Sequence, residues 1–228
     1  MNKTKLFTVA LIALLSVGLC SCEKDGNDDN DTGNGTGIGT GTGTDDPADW
    51  VDLGLPSGLQ WATRNVGASS PTDYGNYYAW GETSPKSVYD WSTYRYYNSE
   101  TGVTKYTGND GLTTLQPGDD AATVNYGGRT PTISEWQELI NNTTHQWVTI
   151  NGVNGQCFTG SNGNSLFLPA AGFRYGSGLY DAGSDGYYWS SSLGTDDPGR
   201  AWDCDFDSGD VDVDGSYRYL GFTVRAVR

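Results

Sequence analysis

The chain has 228 residues, with 28 acidic against 13 basic side chains and a formal net charge of −15. A field of that sign opposes nucleic acid and anionic membrane surfaces as partners. One histidine and four cysteines, with no CxxC pair, are too few and too scattered for a zinc site.

Lys3 and Lys5 precede the apolar run LFTVALIALLSVGL. It is too short to span a bilayer and reads as a secretory signal. The run ends in Leu19-Cys20-Ser21-Cys22, which resembles a bacterial lipobox. The small Ser21 makes Cys22 the expected lipidation site, so residues 1–22 form a lipoprotein signal peptide. Lipid on Cys22 anchors a chain to a membrane without spanning it.

Residues 23–48 hold one isoleucine and no aromatic residue. They cannot bury a core and read as a flexible acidic Gly/Thr-rich tether, with a reach of roughly 25–30 Å. The opening CEKDGNDD resembles the surface-export signal of Bacteroidetes lipoproteins. The expected location is the outer membrane, lipid-anchored and surface-exposed. Residues 1–22 contain two lysines and no acid, so the remainder carries 11 basic and 28 acidic residues, a net of −17. Such a surface favours a cationic or neutral ligand, such as a glycan.

Residues 49–228 form the folded domain. VDLGLPSGLQWATRNVG predicts a hairpin-like start. A short helix is expected over Asp119 to Val124. Thr132-Ile133-Ser134-Glu135 is a capping box, and Ile133, Trp136, Leu139 and Ile140 mark one apolar face. They predict a helix over 133–141. QWVTI, CFTG and SLFLPA are brief strands separated by Asn-Gly and Gly-rich turns. AWDCDFD and DVDVDG alternate as strands do, and LGFTVRAV closes the chain. Trp80 and Trp189 are expected in the core, and Tyr96 and Tyr97 on the surface. Cys157 and Cys204 are expected as buried free thiols, with a bridge between them as the alternative.

Seven segments occur in order: VDLGLPSGLQWATRNVGA, DYGNYYAWGET, DDAATVNYGG, RTPTISEWQELI, GNSLFLPAAGFRYG, GSDGYYWSSS and GFTVRAVR. Together they resemble the Fibrobacter succinogenes major paralogous domain of Bacteroidetes lipoproteins, from about Val51 to Arg228. The resemblance implies an α+β, C-type-lectin-like fold related to the formylglycine-generating enzymes. Its features are short twisted β-sheets, one or two short helices and long structured loops. The last 40 residues resemble the variable region of retroelement-diversified lectin-fold proteins, although Trp202 departs from the diversifiable set.

Three readings compete for WDCDFDSGDVDVDG, residues 202–215. A calcium loop needs oxygen ligands at fixed positions and a central glycine, and neither register of this stretch is complete. Asp203, Asp205 and Asp207 are the calcium candidates, and no metal or other cofactor is expected. Trp202-Asp203 and Asp196-Asp197-Pro198 match calcium-dependent sugar-binding loops only in part. A hairpin about Ser208-Gly209 fits better. It places Asp203 opposite Asp214, Asp205 opposite Asp212, and Asp207 opposite Asp210. Trp202, Cys204, Phe206, Val211 and Val213 then face inward, and all six aspartates outward. Opposed like charges destabilise a hairpin by up to about 1 kcal/mol per pair. Bound cations, the nearby Arg200 or Arg218, or a cationic or polyhydroxyl ligand would offset this face; the alternative is a solvated face screened by salt.

The expected ligand-binding residues are Asp196, Asp197, Arg200, Asp203, Asp205, Asp207, Asp210, Asp212, Asp214, Tyr217 and Tyr219. No catalytic residue is expected: serine needs a base, the lone His145 reads as a surface residue, and no cysteine pair stands where the related enzymes have one. The sequence predicts a surface-anchored, non-enzymatic ligand-binding or adhesion module for a protein or glycan, touching membrane only through its lipid. A structural cell-envelope or fimbria-associated subunit is the second reading, and a glycan-active hydrolase the third.

Overall fold

The computed structural model describes residues 49–228. The signal peptide, Cys22 and the tether lie outside the described residues. Thirteen strands are β1 Trp50–Asp52, β2 Gln60–Asn65, β3 Tyr97–Asn98, β4 Gly102–Val103, β5 Thr144–Ile150, β6 Val153–Thr159, β7 Ser165–Pro169, β8 Phe173–Tyr175, β9 Gly178–Tyr180, β10 Gly186–Leu193, β11 Arg200–Phe206, β12 Val211–Tyr217 and β13 Arg225–Val227. Two α-helices, α1 (Ala121–Asn125) and α2 (Ile133–Asn142), stand between β4 and β5.

The expectation of an α+β, C-type-lectin-like domain is corrected here. Among the described residues the helices have only five and ten residues. The strands form five small separate sheets: β1-β2-β13, β10-β11-β12, β5-β6-β7, β3-β4 and β8-β9. The domain is sheet-dominated. The physical reason is local. A capping box with helical apolar spacing occurs once, whereas turn residues and alternating runs recur along the rest of the chain.

The helix at 133–141 forms with one added residue, and its capping box is complete. Trp136 and Leu139 from its apolar face are fully buried. The second helix begins two residues later than expected, because the Asp120 carboxylate accepts the Ala122 N–H and so caps it. The opening hairpin pairs β1 with β2, and β13 adds to the other side of β2.

The sheet β10-β11-β12 separates two apolar cores. Trp189 and Ala201 pack into one with Trp80, Tyr78 and Phe222. Tyr188, Cys204, Phe206 and Val211 pack into the other with Trp136, Leu139 and Phe158. Trp80 and Trp189 are core residues, as expected. Tyr96 is not at the surface: it is buried and donates to Asp119 at 2.5 Å. Cys204 is a free, buried thiol. Cys157 is buried too. Because Cys204 is free, no Cys157–Cys204 bridge is formed.

Buried charge in the first core is well satisfied. Arg225 donates to Asn65 Oδ1 at 2.9 Å and to the carbonyls of Ala62 and Phe167 at 2.9 and 3.1 Å. Arg218 donates to the Tyr94 hydroxyl and to the carbonyls of Tyr106, Pro198 and Lys105. Its guanidinium also lies 4.8 Å from the Trp80 ring, a cation–π contact. These arginines fasten the last eleven residues to strands and loops far away in sequence.

Candidate functional site

The hairpin β11–β12 has the register its sequence predicts. Asp203 pairs with Asp214 and Asp205 with Asp212. Asp207 donates its N–H to the Asp210 carbonyl at 3.1 Å, closing the Ser208-Gly209 turn. The Asp207 carboxylate caps that turn by accepting the Gly209 and Asp210 N–H groups. From below, the Gln156 side-chain amide donates to the Asp207 carbonyl at 3.0 Å, tying the turn to β6. Gly186 lies opposite Phe206, where a Cβ would come within 2.2 Å of the Phe206 ring. Glycine there lets the ring settle over β10 and hold the hairpin against the core.

Two orientations differ from expectation. Trp202 is 37% exposed rather than inward. Asp203 is wholly buried rather than outward. Asp203 lies opposite Trp189, on the face of β11 that meets the first core. A strand buried on both faces gives its alternating side chains no solvent side. Near its middle, β11 is such a strand.

The other aspartates separate by role. β12 is the outer strand of its sheet. Because Asp207 and Asp210 form a hydrogen-bonded pair, Val211, Val213 and Gly215 direct their N–H groups away from β11. The carboxylates of Asp210, Asp212 and Asp214 accept those three N–H groups at 2.9, 2.8 and 2.6 Å. Each aspartate thus caps the edge donor that follows it. Only Asp203 and Asp205 are left without a cap to make.

A cleft of about 450 Å³ opens over this surface. Asp205, Asp207, Asp210, Asp212 and Asp214 line it from the hairpin, with Asp185 and Tyr187 beside them. Phe206 and Val213 add apolar wall, and no basic side chain lines it. Asp203 lies behind its inner end, on the same face of β11 as Asp205 and across from Asp214. Neither Asp203 oxygen has a hydrogen-bond partner. Burial pushes its carboxyl well above the ordinary aspartate range, and Asp205 and Asp214 push it further. Ser216 tempers that shift from nearby without bonding to either oxygen. Asp205 is raised as well, by burial and then by Asp214 and Asp212. The Tyr187 hydroxyl is pushed up to about 12 by burial and by Asp185, Asp181, Asp205 and Asp203.

No protein-family model, curated protein or solved structure matches this chain. The chemistry of the site must be read from its own residues.

Among the described residues, no three acidic, histidine or cysteine side chains converge to hold a metal ion. The calcium candidates do not act together: Asp207 turns to its own loop, while Asp203 is sealed behind Asp205. His145 is exposed on β5.

The remaining predicted residues gather at the opposite end of the hairpin, about 20 Å from the turn at strand rise. Arg200 donates to the Gly215 carbonyl at 2.5 Å, and its guanidinium covers the Tyr217 ring at 4.4 Å. Asp197 lies 3.6 Å from Arg200 and caps Gly199, while Asp196 is exposed beside it. Tyr217 stacks with Tyr219 at 5.5 Å between ring centres, and Trp91 meets Tyr219 at 4.8 Å. Tyr175 and Tyr180, both about half exposed, extend this aromatic end. The predicted site is therefore two surfaces: an acidic cleft and an aromatic platform. The sequence reading missed Asp185 in the cleft, and Trp91, Tyr175 and Tyr180 on the platform. Asp185, one residue ahead of β10, carried a signal in retrospect: Gly186 is the Cα partner of Phe206. Nothing local marks the others, which come from separate segments.

Proposed function

We propose that this protein is a lipid-anchored surface lipoprotein whose domain is a non-enzymatic binding or adhesion module for a protein or glycan. Its contact surface is the hairpin β11–β12 with the segments flanking it. The observation that carries this reading is the acidic cleft, which has a fully buried, unpartnered Asp203 behind it. A buried carboxylate without donors costs free energy, so a cleft that keeps one is explained by a ligand that meets its charge. The ordered segments resembling Bacteroidetes lipoprotein domains point the same way. The test replaces Asp205, Asp207, Asp210 and Asp212 with serine in the lipid-free chain and screens both proteins on glycan and surface-protein arrays. Loss of a wild-type ligand in a variant with an unchanged circular-dichroism spectrum supports the assignment. Retained affinity removes it.

One observation favours the second reading, a structural envelope or fimbria-associated subunit. Three of the six aspartates cap the edge donors of β12, as a protected, merely solvated edge requires. That reading expects co-purification with a surface assembly and no array ligand.

A further inference from the structure

We propose that the acidic cleft is a site for a linear aliphatic polyamine, whose ammonium groups lie along the paired aspartates of β11 and β12. The proposal deepens the binding-module reading and rests on it. It begins from Asp203, which is fully buried, lacks any hydrogen-bond partner and shares the strand face of the cleft-lining Asp205. Across the hairpin from it stands Asp214, which lines the cleft. An ammonium group at that rung would favour the ionised form of Asp203, which burial and the neighbouring aspartates oppose in the free protein. Such a cation must come from outside, since no lysine or arginine lines the cleft.

Four features select the chemical class. The volume of about 450 Å³ lies in the range of small-molecule sites. The acidic side chains do not converge on one point, which disfavours a compact metal ion and suits charges spread along a line. Successive same-face rungs of a hairpin are about 6.8 Å apart, roughly one ammonium-to-ammonium step across three or four methylenes. Finally, Tyr187, Phe206 and Val213 supply apolar wall between the carboxylates. That is what the methylenes need, and the Tyr187 ring also presents a face that attracts cations. The edge of β12 plays no part, because its outward N–H groups are already capped. The ligand lies over the face rather than joining the sheet as a strand.

The experiment is calorimetric titration of residues 23–228 with spermidine in 150 mM salt. Calcium chloride and an alternating Lys-Thr peptide are titrated in parallel. Saturable one-to-one binding of spermidine is expected. Asp205→Asn/Asp212→Asn should weaken it at least tenfold. Asp203→Asn should weaken it several-fold while leaving the circular-dichroism spectrum unchanged. Absence of saturable heat with spermidine overturns the proposal, as does equal affinity in the Asp205→Asn/Asp212→Asn variant. So does displacement of spermidine by micromolar calcium, which makes the cleft a metal site. Tighter binding of the Lys-Thr peptide than of spermidine overturns the small-ligand assignment in favour of a basic protein segment. An array ligand that depends on the same aspartates, with no response to spermidine, refutes only this inference and leaves the binding module standing.

Discussion

Two regions of this domain bury charge, and they treat it in opposite ways. Around the first core, Asp119 accepts hydrogen bonds from Tyr96, Tyr106 and Lys105. Burial alone would raise its carboxyl, but those donors hold it below the ordinary range. Asp120 is likewise surrounded by Ala122, Thr123 and Thr130 donors. Arg218 and Arg225 spend their N–H groups on carbonyls and side-chain oxygens. In the acidic hairpin, by contrast, Asp203 has only Ser216 nearby, outside hydrogen-bond geometry, and faces further carboxylates. The same residue type is buried at both places. The first region uses its charges as structural joints. The second leaves one without a hydrogen-bond partner beside an open cleft.

Four measurements probe this contrast. The largest effect is expected from Arg225→Met, which leaves the oxygens of Asn65, Ala62 and Phe167 without their donor. Loss of about 3–5 kcal/mol is expected in urea denaturation. A loss under about 1 kcal/mol would show that the joint is not structural.

Asp203→Asn should act with the opposite sign, raising stability at pH 7 on the order of 1–3 kcal/mol. Its pH dependence follows from the raised carboxyl. The folded state takes up a proton at higher pH than the unfolded state does. Asp203 therefore costs stability wherever the unfolded aspartate is ionised, and the cost fades as pH falls from the folded value toward the unfolded one. It is gone below the unfolded aspartate value of about 3.9. The wild-type and Asp203→Asn stability curves should converge on acidification toward pH 4. Parallel curves would mean that Asp203 is compensated after all. Asp119 and Glu135, both lowered, contribute stability above the ordinary carboxylate values and lose it below them, in both proteins alike.

A smaller effect is expected at α2. Thr132→Ala removes the acceptor of the Glu135 N–H and should cost about 1 kcal/mol in the same denaturation assay. The smallest stability change belongs to Asp212→Thr/Asp214→Thr, within about 0.5 kcal/mol. Its readout is association: uncapping the Val213 and Gly215 N–H groups should give concentration-dependent oligomers in sedimentation velocity. A monomer at every concentration would remove the edge-capping role.

Much of the local structure could be read from the chain. The capping box at Thr132 and Glu135 named α2, and the Ser208-Gly209 turn fixed which aspartates oppose one another. Both signals act within a few residues, where hydrogen-bond geometry and side-chain alternation leave little choice. The balance of the fold was less legible. An α+β architecture was expected, but the described residues build five small sheets and two short α-helices. How short strands assemble depends on partners far apart in sequence, as when β13 joins β2.

The sequence by itself determined the acidic charge, the helix α2 and the hairpin register of β11 and β12, because each depends on neighbours along the chain. Only the tertiary structure decided which carboxylates would matter. It sealed Asp203 between two cores, turned Asp210, Asp212 and Asp214 onto the edge of β12, and moved Tyr217 and Tyr219 to a separate aromatic platform. Alternation tells which side of a strand a residue faces, but not whether that side meets water. That depends on what the remote segments bring to cover it.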